Sequence, residues 1–171
     1  LGRDDIMRIL PDGTFQGRHH PSSEYPFHLA VYRERPDFGA VLHAHSPGLV
    51  ACSIVRRIPE VLLTPEIYQV CGEVTMAPYA LPGSALLGEK IAAEFRKGYS
   101  VVMLENHGVV IGAPDIFQAF KIFETLEFAA RLEINALKLG KLNLLTLEQA
   151  KRGTSPNTAS YKEMQNLAHT S

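Results

Sequence analysis

The chain has 171 residues, 46% of them hydrophobic and 20% charged, an ordinary balance for a globular domain that buries a core. A net charge of −1 gives no electrostatic case for binding nucleic acid or an anionic membrane surface. No apolar run approaches the roughly 20 residues that span a bilayer. Cys52 and Cys71 form no C-x-x-C pair and are expected to be buried thiols of a cytoplasmic protein. The opening "LGRDDIMRIL" starts in mid-element, so residues ahead of Leu1 are expected.

"IMRILPDGTFQG" is two short β-prone runs around Pro11-Asp12-Gly13 and predicts a hairpin. "PSSEYPFHLAVYRERPD" carries helix-start signals, with Ser22 or Ser23 as N-cap and Glu24 and Pro26 in the first turn; the helix should stop before Pro36. "FGAVLHAH" is a strand, and Ser46-Pro47 then cap a helix through "GLVACSIVRR". "LLTPEIYQVCG" is ambiguous between strand, turn and short helix, whereas "EVTMAPYA" reads as a strand. "SALLGEKIAAEFRKG" predicts an amphipathic helix capped by Ser84 and stopped at Gly98. "SVVMLENHGVVIGA" predicts two strands, or one broken strand, bent at His107-Gly108.

The longest element, "PDIFQAFKIFETLEFAARLEINALKLG", places Ile116, Phe120, Phe123, Ala130, Ile134 and Leu137 at helical steps, which predicts the buried stripe. Residues 153–171 form a polar tail, expected to be loose or docked on a neighbour. With no repeats and no obvious linker, alternating strands and helices argue for one α/β domain over residues 1–171.

The chemistry lies in a few positions. His43 and His45 stand two apart at a strand end, so their rings share a face. Such a pair supplies two metal ligands, or two hydrogen-bonded core histidines, and spacing alone leaves both open. His107, ahead of Gly108, offers a third imidazole or a plain turn histidine. Glu24 is either a first-turn carboxylate set against the helix dipole or an acid–base group. Ser22 and Ser23 before a helix N-terminus are candidates for holding an anion. His19, His20, His28 and His169 are expected to be solvated or structural, and Tyr79 to be a packing residue. Glu105 and Asn106 flank His107 and read as strand-end polarity, or as groups that orient the imidazoles.

"PSSEYPFHLAVYRERPDFGAVLHAHSPG", "APYALPGSALLGEKIA" and "LENHGVVIGA" together closely resemble the class II aldolase/adducin family, within it the L-fuculose-1-phosphate aldolase type, from about Asp4 to Gly140. The resemblance implies a three-layer α/β/α sandwich around a mixed, largely antiparallel sheet, assembled as a homotetramer. It implies that His43, His45 and His107 bind a divalent cation, most often Zn2+, with Glu24 as the acid–base residue and possible resting-state ligand, and that Ser22 and Ser23 help hold a substrate phosphate. The implied reaction is retro-aldol cleavage of a fuculose-1-phosphate-like ketose 1-phosphate to dihydroxyacetone phosphate and an aldehyde. Two departures stand out. The family's N-terminal G-N-x-S and T-P-x-G segments are absent from this sequence, and Leu63 or Thr64 occupies the place of a substrate-facing tyrosine. Sugar-phosphate dehydratases share the histidine frame and a glutamate; 4-epimerases carry aspartate where Glu24 stands. Adducin-like interaction modules lack the full ligand set, which all four residues here retain.

Overall fold

The structure is a computed structural model that describes residues 2–10 and 12–152. The expectation for the tail at 153–171 lies outside these residues.

Arg8–Ile9 (β1) and Phe15–Gln16 (β2) pair antiparallel as the expected hairpin, closed by Leu10 N–H on Thr14 O at 2.8 Å and by Gly13 at φ +84°. The central sheet has four strands: Ala40–Ala44 (β3), Val74–Ala77 (β4), Val101–Leu104 (β5) and Gly108–Ala113 (β6), in the order β3-β6-β5-β4. β3 and β5 both run antiparallel to β6, while β4 is parallel to β5, so the sheet is mixed as expected.

Alternation along the strands sends two apolar sets to opposite faces. Val101, Met103, Val109 and Ile111 pack with Leu49, Ile67 and Leu126, from helices Pro47–Ile54 (α2), Pro65–Cys71 (α3) and Ile116–Leu139 (α5). Val102, Leu104 and Val110 pack with Phe27, Val31, Leu87, Ile91 and Phe95, from helices Tyr25–Glu34 (α1) and Ala85–Arg96 (α4). A sheet between two helical layers is the expected three-layer sandwich. Cys52 and Cys71 are buried free thiols on the first face.

Three local expectations are corrected and one left open is resolved. The N-cap of α1 is Glu24 rather than either serine; the Ser22 hydroxyl instead accepts the Glu24 N–H at 3.2 Å. Ser46 does occupy the N-cap of α2, but its side chain caps nothing in that helix. The ambiguous stretch resolves into a 3-10 turn, Val61–Leu63, and α3, whose Thr64 cap accepts the Ile67 N–H. On α5 the expected Ala130 is buried and Phe123 and Ile134 pack partly buried on the core, but Ile116, Phe120 and Leu137 are exposed, and Ala119, Leu126, Ala129 and Glu133 complete the buried stripe. Small side chains let the helix lie close to the sheet, and Phe117, Phe120 and Phe128 are left exposed at its flanks. A short helix, Leu147–Arg152 (α6), follows and packs on α3.

Candidate metal centre

Three segments deliver the chemistry to one end of the sheet. β3 is an edge strand, and α1 covers it: the Tyr32 hydroxyl accepts the Val41 N–H at 3.0 Å, and the His28 ring bonds to the Val41 backbone. That satisfies an edge peptide that would otherwise lack a ladder partner. One turn before His28 on the same helix stands Glu24, which is thereby set over the end of β3.

His43 faces the α1 side, with the Phe27 ring edge-on at 5.2 Å between centroids. Its Nδ1–H donates to the Val109 carbonyl at 2.9 Å, so the lone pair of Nε2 is directed away from β6. His45 follows the last strand residue and brings its Nε2 to 2.8 Å from that of His43.

His107 sits on the tight turn between β5 and β6. Asn106 adopts φ +55°, a left-handed conformation asparagine tolerates, and its N–H donates to Ser53 O. Glu105 holds the turn to its surroundings, accepting the Tyr79 N–H at 3.0 Å with Arg56 Nε 3.4 Å away. Tyr79 itself is half exposed, not the packing residue expected. Gly108 permits the close approach: a Cβ there would stand 2.4 Å from Ala44 O and 2.8 Å from His45 Cδ2.

The four groups converge. Glu24 Oε2 is 3.0 Å from His43 Nε2, and Oε1 is 3.1 Å from His107 Nε2. The three ring centroids lie 4.5–5.0 Å apart. One donor atom from each of Glu24, His43, His45 and His107 falls within 4.8 Å of the others. The two Glu24 contacts lack ordinary hydrogen-bond geometry, and Glu24 Oε1 is buried with no hydrogen-bond partner among the described residues. Burial drives the His43 pKa down to about 4, against opposing pulls from the Val109 carbonyl and Glu24, and burial also lowers His107. Both rings are therefore neutral near pH 7, the form that donates a lone pair. Neutral imidazoles aimed at one point beside an unsatisfied carboxylate oxygen fit a divalent cation.

Of the other residues singled out in the sequence, Ser22 lies next to the centre through Glu24, and Ser23 is exposed. His19 bonds to Asp5 and His20 packs edge-on against Phe15; both are exposed just after the hairpin and are not part of the four-residue group. His28 is partly buried and stacked on Phe27, a structural role. Sequence reasoning missed the carboxylates of α5. For Glu127 and Glu133 the one signal the sequence carries is the i, i+4 spacing of Glu127 with Arg131.

Residues 2–134 match the family model described as the class II aldolase and adducin N-terminal domain. The chain belongs to this class II aldolase/adducin family. Among its relatives, a 3-oxo-tetronate 4-phosphate decarboxylase of Pectobacterium atrosepticum is 32% identical over 136 residues, covering 77% of this chain. An L-fuculose phosphate aldolase of Methanocaldococcus jannaschii is 34% identical, covering 82% of this chain and 75% of that protein. A solved L-fuculose 1-phosphate aldolase superposes with a TM-score of 0.76 at 29% identity, covering 95% of this chain and 74% of that one. The match spans 62% of the decarboxylase's length, less than two thirds. Among the described residues, no helix is long and apolar enough to cross a membrane.

Proposed function

We propose that the chain is the catalytic domain of a divalent-metal-dependent lyase that cleaves a ketose 1-phosphate to dihydroxyacetone phosphate and an aldehyde. The observation that carries this reading is the convergence of His43, His45 and His107 on a carboxylate, Glu24, that has an unsatisfied oxygen. His43, His45 and His107 hold the ion, most simply Zn2+, whose three-histidine preference the donor set suits. When bound, it supplies Lewis acidity, stabilising the negative charge that develops on substrate oxygens as the carbon–carbon bond breaks.

The chain's own groups do the rest. Glu24 takes up the substrate hydroxyl proton and returns a proton to the carbon freed by cleavage. Its place between the rings of His43 and His107 puts it within reach of anything the histidines hold. The Val109 carbonyl fixes the His43 tautomer and ring plane. The Ser22 hydroxyl accepts from the Glu24 backbone and keeps its own proton to donate to a phosphate oxygen, with Ser23 beside it. The similarity to fuculose-phosphate aldolases supports this substrate class, and the exposed Phe117, Phe120 and Phe128 on α5 suit burial in a homotetramer of a cytoplasmic enzyme.

A second reading, decarboxylation of a 3-oxo acid phosphate at the same centre, is favoured by the relatives that carry that name. It too passes charge onto a carbonyl oxygen. The test is Glu24→Gln and His43→Ala in parallel, with metal content and product analysis on ketose 1-phosphates and 3-oxo acid phosphates. Glu24→Gln is expected to keep metal while turnover falls by about 10²–10⁴; His43→Ala is expected to lose the metal. Near-normal turnover in Glu24→Gln would refute the assigned role, and carbon dioxide as a product would select the second reading.

A further inference from the structure

The helix that leaves the histidine pair is not capped by its own sequence. Ser46 occupies the N-cap of α2 but makes no capping bond there, and its hydroxyl donates 2.7 Å to Glu127 Oε2 on α5. The free N–H groups of the α2 first turn are taken by the same carboxylate: Gly48 N donates to Oε1 and Leu49 N to Oε2, each at 3.0 Å. Arg131, one turn on along α5, donates through Nε to Oε1. Each carboxylate oxygen thus accepts two bonds, which uses the four lone-pair positions of the group.

The fit is close on both sides. A Cβ on Gly48 would stand 2.8 Å from Glu127 Oε2 and 3.1 Å from Cδ, so glycine at that position makes the space the carboxylate fills. Burial of Glu127 works against its charge, yet the bonds from Ser46, Arg131, Gly48 and Leu49 outweigh it and hold the carboxyl below its usual range. A full negative charge therefore sits at the positive end of α2. The residue before Ser46 is His45, the exposed member of the cluster, which lies beyond the last paired residue of β3. Ladder bonds fix His43; nothing in the sheet fixes His45.

We propose that Glu127 is a positioning residue for the metal centre: by clamping Ser46, Gly48 and Leu49 it sets the exit of the chain from β3 and holds the His45 ring in register with His43 and His107. This rests on the metal-centre reading above. Glu127 touches neither substrate nor ion. It acts through the backbone of one ligand, as groups outside the coordination sphere do when they orient a metal-binding imidazole.

The full chain, stripped of metal, is titrated with Co2+ alone, followed by its visible d–d absorption, with thermal unfolding of the metal-free proteins in parallel. Glu127→Gln is expected to raise the Co2+ dissociation constant about tenfold or more and to alter the absorption bands, since loss of such an orienting group typically weakens metal binding by about 10–100-fold. Gly48→Ala pushes on the same carboxylate from the opposite side and should shift affinity and bands the same way. Asp115→Ala is the control. It removes the cap of α5, where Asp115 Oδ1 accepts the Gln118 N–H at 2.8 Å, and should lower stability while leaving Co2+ affinity unchanged.

Unchanged affinity and bands in Glu127→Gln, with the wild type binding Co2+, would overturn the clamp alone. An equal loss in Asp115→Ala would overturn it too, because affinity would then only follow global stability. A wild type that takes up no Co2+ would overturn the metal-centre reading and the clamp's purpose together. If Glu127→Gln does not fold, Gly48→Ala decides on the same criteria.

Discussion

Gly108→Ala isolates how much the centre depends on one close approach. Gly108 opens β6, and its backbone does not need the left-handed region, so alanine adds steric conflict without torsional strain. The added methyl would meet Ala44 O at 2.4 Å and His45 Cδ2 at 2.8 Å. Ordinary contact begins near ~3.5 Å, so β3 and the β5–β6 turn must separate by about 1 Å. Metal–ligand distances tolerate about 0.2 Å. His107 rides on that turn and His45 on the end of β3, so the displacement falls almost wholly on the ligand set. The expected result is a dissociation constant for Zn2+ or Co2+ raised by roughly 100-fold, with turnover lost in proportion, for a stability loss of about 1–3 kcal/mol. Gly112→Ala is the matched control. Its methyl would meet the Phe38 ring at 2.0 Å, further along β6, so stability should fall at least as far with metal affinity intact. Isothermal titration and thermal unfolding on the two variants decide the matter. Wild-type affinity in Gly108→Ala, or equal affinity losses in both, would refute the reasoning.

Two further outcomes follow from buried charge. His43 titrates at about 4 in the folded protein and near its ordinary 6.5 when unfolded, so the unfolded chain binds the extra proton first as pH falls. Its contribution to stability is complete above pH 6.5 and is lost between there and pH 4, about 2 kcal/mol of it by pH 5 at 1.36 kcal/mol per unit. Urea unfolding of chelator-treated protein at pH 7 and pH 5 measures this, and equal midpoints would contradict it. Glu133, 2% exposed, pairs with Arg57 and accepts the Glu60 N–H at 2.8 Å, fastening the segment that follows α2. Glu133→Ala takes the acceptor from the Glu60 N–H and leaves half-exposed Arg57 to water, and should cost about 1–3 kcal/mol in denaturant unfolding; an unchanged midpoint would show the pair to be dispensable.

The four candidate donors stood out in the sequence because each signal is local, while their grouping into one cluster came from the family resemblance and not from spacing. An H-x-H at the end of a β-prone run, a histidine before glycine in a turn, and a glutamate at a helix start each report their own backbone. The sandwich followed from alternation and from matched motifs. What the chain did not announce is whatever depends on a distant neighbour. The face of α5 that meets the sheet is chosen by how near the helix can lie, which favours Ala119, Ala129 and Ala130 over larger side chains that are as apolar. The partner of Ser46 is a carboxylate on another helix, and a serine before Pro47 reads as an ordinary cap until that helix is in place. Tyr79 departs from expectation for a similar reason: its backbone, not its ring, is what Glu105 and Lys90 engage.

The edge position of β3 bears on the order in which the protein can assemble. Glu24, His43 and His45 are made early, but the imidazole of His107 arrives only after α2, α3, β4, α4 and β5. Until β6 zips against β3, a nascent chain offers a cation just a bidentate histidine pair and one carboxylate, a weak trap. If the cluster holds a cation, its capture would come late and report completion of the sheet rather than seed it. Once seated, the ion would staple the last strand to the first of that sheet, and at 100-fold excess over its dissociation constant it would add about 2.7 kcal/mol against unfolding.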